Sequence, residues 1–386
     1  MGENRERWDI FCRVVDNYGD VGVSWRLARQ VAREHGKEVR LWLDDLTVLA
    51  KLRPEVDPAY EAQSLDGVDV RLIREPFDLD GIADVVVETF GCDPPEPYVL
   101  AMAERGVKPR WINLEYLSAE EWVEGSHALP SPNPRLPLVK HFFFPGFTRK
   151  TGGLLREESL LRRRDEFQRD EGAQAAFWKS VAGATPPEGA LKVSLFSYAL
   201  APVESLARAC AQFPGPVWLV APEGIAATAL ESWRLSHGAR DSIHSLVIPF
   251  LAQDRYDQLL WACDVNFVRG EDSFVRAQWA GRPFVWHVYP QDDGAHWVKL
   301  AAFLARYSAG LERGHAAAVT SLWEAWNRRP DADSGEALRP RFSDAWAGFM
   351  SKREALEAHA GEWSAGLASR RDLAAELVDF CDNVLK

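Results

Sequence analysis

The sequence predicts an α/β protein of two domains, each with a parallel sheet flanked by crossover helices. Three observations support this prediction. The chain has 386 residues, which is more than one ordinary core holds and suits two domains of roughly 150–200 residues. In both halves, short apolar runs alternate with segments whose apolar residues recur at helical spacing. A mainly polar interval at residues 151–189 separates the halves.

Four short apolar runs in the first half are predicted to be buried strands: residues 10–15, 39–43, 84–88 and 110–114. Between the first two, Val23, Leu27 and Val31 recur at helical spacing and predict a helix over residues 23–35. A strand, a helix and a second strand in this order are typical of a parallel sheet. The second half repeats the alternation, with strands predicted at 191–196, 217–220, 246–249, 265–268 and 284–288 and helices at 203–212, 256–262, 274–280 and 295–307.

The domain boundary is expected within residues 151–189, where a glycine pair, a charged stretch and the turn-forming segment 185–189 follow one another. We therefore predict a first Rossmann-like domain over residues 1–175 and a second over residues 176–365. Two such domains facing each other would place a ligand cleft between them, at the carboxyl ends of both sheets.

Two further segments lie outside this alternation. A polar interval at residues 328–340 is expected to be a loop. The terminal segment at residues 369–385 has an amphipathic helical pattern. We predict that a helix over about 366–386 packs back on the first domain, because an amphipathic helix must bury its apolar face.

Composition limits the functions that this chain can have. A formal net charge of -12 repels phosphate backbones, so we expect no nucleic-acid partner. No apolar run approaches the length of about 18 residues that a membrane span requires, and the charged N-terminus has no signal-peptide core. No histidines have metal-ligand spacing. Free thiols in a reducing, cytoplasmic compartment are expected from an odd number of widely spaced cysteines: Cys12, Cys92, Cys210, Cys263 and Cys381.

The first candidate site is the loop after the first predicted strand, residues 16–22. Its glycines allow a tight turn and a close approach to a ligand, although a dinucleotide fingerprint is absent. Asp16 and Asp20 lie four residues apart on this turn. They could accept hydrogen bonds from a cation and act as a base. Alternatively, Asp20 is only the N-cap of the following helix and Asp16 a simple turn residue.

The second candidate site follows the strand at residues 265–268. Gly270 permits a turn, Arg269 supplies a fixed charge, and Ser273 offers a hydroxyl beside the N–H groups of a helix N-terminus. This combination could hold a diphosphate without a metal. Glu271 and Asp272 would repel phosphate. Asp272 could merely complement the helix dipole, whereas Glu271 is expected to face a sugar or an acceptor.

Three aromatic residues end predicted strands of the second half: Phe196, Tyr198 and Phe250. Aromatic rings in these positions could stack on a nucleobase. Packing in the core is the alternative for each of them.

Several longer motifs resemble one known family. They are DNYGDVG at residues 16–22, WINLEYLSAEEW at 111–122, FFFPGFT at 142–148, TGGLLRE at 151–157, LLWACDVNFVRGEDSFVRAQWAGRPFVWHVYPQ at 259–291 and HWVKLAAF at 296–303. In this order they resemble the elongation factor P arginine rhamnosyltransferases, and the resemblance extends from about residue 8 to about residue 381. The RGEDS motif within the long run is the most specific of these signals.

The resemblance implies a GT-B fold and inverting, metal-independent transfer of rhamnose from dTDP-β-L-rhamnose. The implied acceptor is one arginine on a loop of the N-terminal domain of elongation factor P, a modification that activates the factor for relief of ribosome stalling at polyproline. Asp16, Asp20 and Glu271 match the acidic functional positions of the family, with Asp20 as the expected base. The implied donor-binding residues are Asn17, Tyr18, Gly19, Phe196, Tyr198, Phe250, Gln253, Arg269, Gly270, Asp272 and Ser273.

Two rival functions remain compatible with the motifs. One is a GT-B transferase that uses another nucleotide sugar or a small-molecule acceptor. The other is a non-catalytic protein that binds a sugar nucleotide. The three acidic positions argue against a mere binder, because such a protein has no need for a base beside an acceptor.

Overall fold

The computed structural model describes residues 5–15, 18–238, 243–291, 293–328 and 335–385. The chain divides into two units. The first comprises Met1–Glu158 together with Ala368–Lys386, and the second comprises Ser159–Leu367.

The first unit is an eight-stranded sheet with its helices. Its elements in chain order are β1 (Arg7–Cys12), α1 (Gly19–His35), β2 (Glu38–Leu43), α2 (Leu46–Leu52), β3 (Ala62–Leu65), β4 (Val68–Leu72), β5 (Val85–Thr89), α3 (Glu96–Glu104), β6 (Arg110–Leu114), α4 (Trp122–Ser126), β7 (Pro130–Pro132) and β8 (Val139–Phe143). The strand order is β3-β4-β2-β1-β5-β6-β8-β7. The pairings are parallel except at the two edges, where β3 pairs with β4 and β7 with β8 in antiparallel fashion. The four strands predicted from sequence are β1, β2, β5 and β6.

The second unit holds a five-stranded, fully parallel sheet in the order β11-β10-β9-β12-β13. Its elements are α5 (Leu160–Arg169), α6 (Glu171–Ala182), β9 (Leu191–Leu195), α7 (Val203–Cys210), β10 (Val217–Pro222), α8 (Ile225–His237), β11 (Ile243–Ile248), α9 (Gln253–Ala262), β12 (Val265–Arg269), α10 (Asp272–Ala280), β13 (Phe284–His287), α11 (Ala295–Tyr307), a 3-10 turn (Ser308–Gly310), α12 (Arg313–Asn327), α13 (Gly335–Met350) and α14 (Arg353–Ala368). Its five strands correspond to the five predicted ones.

The interval expected to be a polar linker is instead largely helical, because α5 and α6 occupy most of it. Their few apolar residues form a buried face: Phe167 packs 5.8 Å from the ring of Trp261 and 5.9 Å from Phe177. Asp170 caps α6 by accepting the N–H of Ala173 at 2.9 Å. This packing joins both helices to the second unit. The chain therefore divides after Glu158 and not at the predicted position after residue 175, which lies inside α6.

Two other element boundaries differ from the sequence prediction. α1 begins at Gly19, four residues before the predicted start, so the glycines at 19 and 22 lie within helix. The prediction of a loop over residues 328–340 was wrong for the last six of these residues, which form the start of α13. Hydrophobic periodicity located neither boundary, because both segments begin with small or polar residues.

The C-terminal segment is grouped with the first unit as α15 (Leu373–Asp379) and a π turn (Phe380–Val384). Asp372 caps α15 by accepting the N–H of Ala375 at 3.0 Å, and its carboxylate also accepts the side-chain N–H of Gln30 on α1 at 2.9 Å. Lys37 lies 3.0 Å from the carboxylate of Asp382. The C-terminal segment is thus joined by polar contacts to α1 and to the residue before β2.

All five cysteines are buried free thiols. Burial raises the pKa of the Cys12 thiol to about 12, so this group is a small apolar side chain and not a nucleophile near neutral pH. Within the parts of the chain described above, no helix combines the length and apolarity needed to cross a membrane.

The first sheet contains a charged pair in its interior. Arg40 on β2 donates two hydrogen bonds to Asp9 on β1, at 2.6 and 2.5 Å, and Tyr98 donates its hydroxyl to the same carboxylate. Asp9 is fully buried. Two buried charges stabilise each other only while both are present, since one left alone keeps its desolvation penalty.

We therefore predict that Arg40→Met destabilises the first unit by about 3–5 kcal/mol, because it leaves the Asp9 carboxylate buried without its cation. Urea unfolding would measure the change. The exposed pair of Arg7 and Glu38 on the same two strands, 3.1 Å apart, provides the control: Glu38→Gln should change stability by no more than about 1 kcal/mol. Equal effects of the two substitutions would contradict the prediction.

Candidate functional site

Both sheets have a point where the strand order reverses, and the candidate residues lie there. In the first sheet, β1 lies between β2 and β5, and in the second sheet β9 lies between β10 and β12. Chains leaving two such neighbouring strands turn to opposite faces of the sheet and open a crevice at the carboxyl ends. Asp20 follows β1, the residues from Phe196 to Tyr198 follow β9, and Arg269 ends β12 and leads into the turn to Ser273.

Asp20 lies in the first turn of α1, buried to 2% exposure. Its carboxylate accepts the N–H of Val15 at 3.0 Å. The N-cap of the helix is Tyr18, so the alternative that Asp20 is merely the N-cap was wrong. A carboxylate in this turn is favoured by the helix dipole. Asp16 and Asn17 lie outside the described residues.

The start of α1 is tied to the two strands beneath it. The hydroxyls of Ser24 on α1 and Thr89 on β5 lie 3.1 Å apart, and Thr89 donates to the carbonyl of Phe11 at 2.9 Å. All three residues are buried. This contact ties the second turn of α1, which follows Asp20, to β1 and β5.

A second acidic group, which the sequence analysis missed, lies at the same edge of the first sheet. Glu88 on β5 is 1% exposed, accepts the indole N–H of Trp111 at 3.0 Å and pairs with the ammonium of Lys140. Burial raises the pKa of Glu88 to about 7 despite that pairing. Burial also raises the pKa of Glu115, which follows β6. The only sequence signal was a carboxylate at the end of an apolar strand.

In the second unit the guanidinium of Arg269 lies between two aromatic rings. Its central carbon is 4.6 Å from the ring centroid of Phe196 and 4.6 Å from that of Tyr198. Arg269 is 9% exposed. Among the residues that the structure describes, its guanidinium has no hydrogen-bond acceptor and no carboxylate at ion-pair distance. A fixed cation of this kind is ready to bind an anionic ligand.

The turn after Arg269 is held by its neighbours. Gly270 has a φ of 65°, a conformation that favours glycine, and its carbonyl accepts the indole N–H of Trp286 at 2.9 Å. Ser273 accepts the N–H of Arg269 at 3.2 Å and donates to the carbonyl of the same residue. The Ser273 hydroxyl therefore braces the turn here, and its role as a donor to a diphosphate stays a prediction.

Glu271 and Asp272 differ in what they do at the start of α10. Glu271 is the N-cap residue but makes no side-chain capping hydrogen bond. Asp272 accepts the side-chain N–H of Gln253, the first residue of α9, at 3.2 Å. Asp272 thus does more than complement the dipole of its own helix. It links the first turns of α9 and α10.

A buried ion pair reinforces that link. Arg276 on α10 donates to both carboxylate oxygens of Asp257 on α9, at 2.9 and 2.6 Å, and both side chains are 1% exposed. No sequence pattern predicts this pair, because two charges 19 residues apart on predicted helices give no signal of contact. The pair holds together the two helices whose first turns carry Gln253 and Ser273.

Another residue that the sequence analysis missed is His287, the last residue of β13. Its Nδ1 accepts the backbone N–H of Tyr198 at 3.2 Å, and the two rings meet edge to face with centroids 5.4 Å apart. Burial, and secondarily the charge of Arg269, lower the pKa of His287 to about 3. The imidazole is therefore neutral near pH 7.

The structure thus brings together Phe196, Tyr198, Arg269, Gly270 and Ser273, with Gln253 joined to them through Asp272. Phe250 follows β11 and is half-buried, and its stacking role stays a prediction. In the described segments, no group of three or more His, Cys, Asp or Glu side chains could hold a metal ion. That the reaction needs no metal stays a prediction.

Comparisons with known proteins identify the family. The family model "Elongation-Factor P (EF-P) rhamnosyltransferase EarP" matches residues 8–382. A protein-arginine rhamnosyltransferase of Pseudomonas putida is 48% identical, over 98% of this chain and 99% of that protein. A solved structure concerned with EarP-mediated arginine glycosylation of translation elongation factor EF-P is 37% identical, with a TM-score of 0.68 over 98% of this chain and 99% of that one.

The fold is shared more widely. MurG of Acinetobacter baumannii, at 14% identity, has a TM-score of 0.52 over 98% of this chain and 99% of its own. That similarity shows the GT-B fold alone, which agrees with the two parallel sheets. The chain belongs to the EarP family of elongation factor P rhamnosyltransferases, and it is a GT-B glycosyltransferase with protein-arginine rhamnosyltransferase activity.

Proposed function

We propose that this enzyme transfers rhamnose from dTDP-β-L-rhamnose to an arginine side chain of elongation factor P. The observation that carries the donor part is the guanidinium of Arg269, buried between two rings and without a counter-ion among the described residues. A sugar nucleotide supplies the missing anion as its diphosphate. The flanking rings of Phe196 and Tyr198 offer faces for stacking.

The acceptor part of the proposal draws on the relatives. The matched family is described by its action on EF-P, and the solved relative concerns arginine glycosylation of EF-P. A guanidinium acceptor also suits the first unit, whose sheet edge carries the carboxyl groups of Asp20, Glu88 and Glu115. Oxygen atoms of this type accept the forked N–H groups of an arginine.

Arginine is a poor nucleophile, because its guanidinium stays protonated and its charge is delocalised. The enzyme must localise that charge and free a lone pair on one terminal nitrogen. In the proposed mechanism, Asp20 accepts a proton from the attacking nitrogen, Asp16 orients Asp20 or the guanidinium, and Glu271 contacts the sugar or the guanidinium. The new C–N bond forms on the face of the sugar opposite the breaking C–O bond, so the anomeric centre inverts.

The leaving dTDP must be stabilised as negative charge develops on its terminal phosphate. Arg269 provides a fixed cation, and the start of α10 provides N–H groups that have no partner within the helix. These groups are already held in place by Trp286 and Ser273. Because they need not reorganise during the reaction, they can replace a divalent metal as the electrostatic stabiliser.

The function is tested by incubating the enzyme with dTDP-β-L-rhamnose and unmodified elongation factor P. We expect the mass of the factor to rise by one deoxyhexose. An elongation factor P variant with lysine in place of the acceptor arginine should not react, and dTDP-glucose should be a poor donor. Transfer from other nucleotide sugars, or only to small molecules, would support the rival transferase. Binding without any transfer would support a mere sugar-nucleotide binder.

Two variants separate the base from the donor site. Asp20→Asn should lower turnover by roughly 10²–10⁴-fold, because the general base is lost, while calorimetry shows dTDP binding nearly unchanged. Arg269→Ala should instead weaken dTDP binding by about 10-fold or more, because a charge-assisted contact is lost.

Each variant has a matched control. Asp44 accepts the N–H of Val14 at 3.0 Å, next to the bond made by Asp20, so Asp44→Asn shows the effect of loosening the loop alone. Arg255 lies 4.8 Å from the ring of Phe177, so Arg255→Ala removes a guanidinium from the face of a ring that is not among the predicted donor-binding residues. We expect both controls to behave like the wild type. Near-normal turnover of Asp20→Asn and Glu271→Gln would overturn the assignment of the acidic groups.

A further inference from the structure

His287 lies beside Arg269 in the second sheet. β12 and β13 are parallel neighbours, and the two residues are register partners at the carboxyl ends of these strands. Side chains of register partners in adjacent strands point to the same face of a sheet. His287 is 2% exposed and Arg269 is 9% exposed. The imidazole and the guanidinium therefore belong to the same corner of the sheet.

The contacts of His287 fix which of its nitrogens carries the proton. Nδ1 accepts the N–H of Tyr198 at 3.2 Å. It uses its lone pair in this bond and therefore carries no proton. Burial and the positive charge of Arg269 disfavour a second proton, which keeps the ring neutral. A neutral imidazole has one N–H, and here that N–H must be at Nε2.

The Nε2–H group of His287 has no acceptor in the described part of the chain, although the other ring nitrogen, Nδ1, accepts a hydrogen bond. Nε2 is not one of the fully enclosed side-chain atoms that lack a hydrogen-bond partner in the described structure, so this donor is accessible to water or to a ligand. Three neighbours of the ring do not provide an acceptor: Arg269 is a cation, and the rings of Tyr198 and Trp326 meet the imidazole edge to face. The fold thus keeps a neutral donor unused beside a cation that also has no counter-ion.

We propose that His287 donates its Nε2–H to a diphosphate oxygen of the sugar nucleotide, as a second contact beside Arg269. The inference rests on the proposed donor. A phosphate oxygen accepts from a neutral N–H as well as from a guanidinium, and one anion satisfies both unused groups. Because Nδ1 holds Tyr198, the same ring couples the diphosphate to one of the two aromatic residues that flank Arg269.

Two substitutions distinguish donation of Nε2–H to the diphosphate from a role in which His287 only holds Tyr198 in place. The side-chain oxygen of His287→Asn can still accept the N–H of Tyr198 in place of Nδ1, but the shorter side chain removes the Nε2–H. His287→Gln extends far enough to place an amide N–H near the position of Nε2. Calorimetry with dTDP and with thymidine measures each protein, since thymidine has the base and sugar but no phosphate. A thermal melt confirms that each variant is folded.

We expect His287→Asn to weaken dTDP binding by about 10–100-fold, as the loss of a hydrogen bond to a charged group predicts. Thymidine binding should be unchanged, and His287→Gln should recover most of the dTDP affinity. His127→Asn in the first unit is the matched control, because His127 Nδ1 likewise accepts a backbone N–H, that of Phe144 at 3.1 Å. It should bind dTDP like the wild type.

Unchanged dTDP affinity in His287→Asn would overturn the inference and leave the proposed donor intact. Equal losses for dTDP and thymidine would also overturn it, because they would show that His287 only braces Tyr198. If the wild-type enzyme itself failed to bind dTDP, the proposed donor would fail, and this inference would fall with it.

Discussion

The proposed donor site depends on the guanidinium of Arg269, which lies between the rings of Phe196 and Tyr198. Contact with two aromatic faces offsets part of the desolvation of a cation that has no counter-ion in the described structure. The rest of this desolvation cost is offset only when an anion binds. A site of this kind favours a diphosphate strongly and holds its geometry without it. The sheet topology makes the contact possible, because β9 and β12 are neighbours in the sheet although two strands, β10 and β11, lie between them in sequence.

Several side chains of the second unit hold the backbone of Arg269, Gly270 and Tyr198 in place. Trp286 fixes the carbonyl of Gly270, Ser273 bridges the backbone of Arg269, and His287 fixes the backbone of Tyr198. Farther from the site, the buried pair of Asp257 and Arg276 keeps α9 against α10. Such supports matter because stabilisation of a developing charge is most effective when the stabilising groups are already in position. Among these residues, ligand contacts are expected only for Ser273 and for His287.

The sequence predicted the main strands of both sheets, because buried parallel strands are short apolar runs between helical patterns. It also located the turn from Arg269 to Ser273, where glycine, a cation and a helix N-terminus coincide. It misjudged α5, because charged residues outnumber the few apolar ones there, such as Phe167, and it misjudged α6, most of whose apolar residues are alanines. Glu88, His287 and the pair of Asp257 and Arg276 were missed for another reason. Their roles depend on burial and on long-range partners, and neither is visible in local spacing. The substrates came from the resemblance and not from any pattern.

The proposed reaction joins two substrates of opposite charge, and the two units carry opposite chemistry at their sheet edges. The first unit presents carboxyl groups, including the buried Asp20 and Glu88, while the second presents the uncompensated cation Arg269. One pocket could not serve both substrates well, because carboxylates that attract a guanidinium also repel a diphosphate. Glu271 is the exception, an acidic residue within the cationic turn. Its place there is consistent with a group that faces the sugar or the acceptor while the backbone and Arg269 bind the phosphates. A chain with a net negative charge can thus bind the proposed anionic donor, because binding depends on the charges beside the site and not on the net charge of the chain.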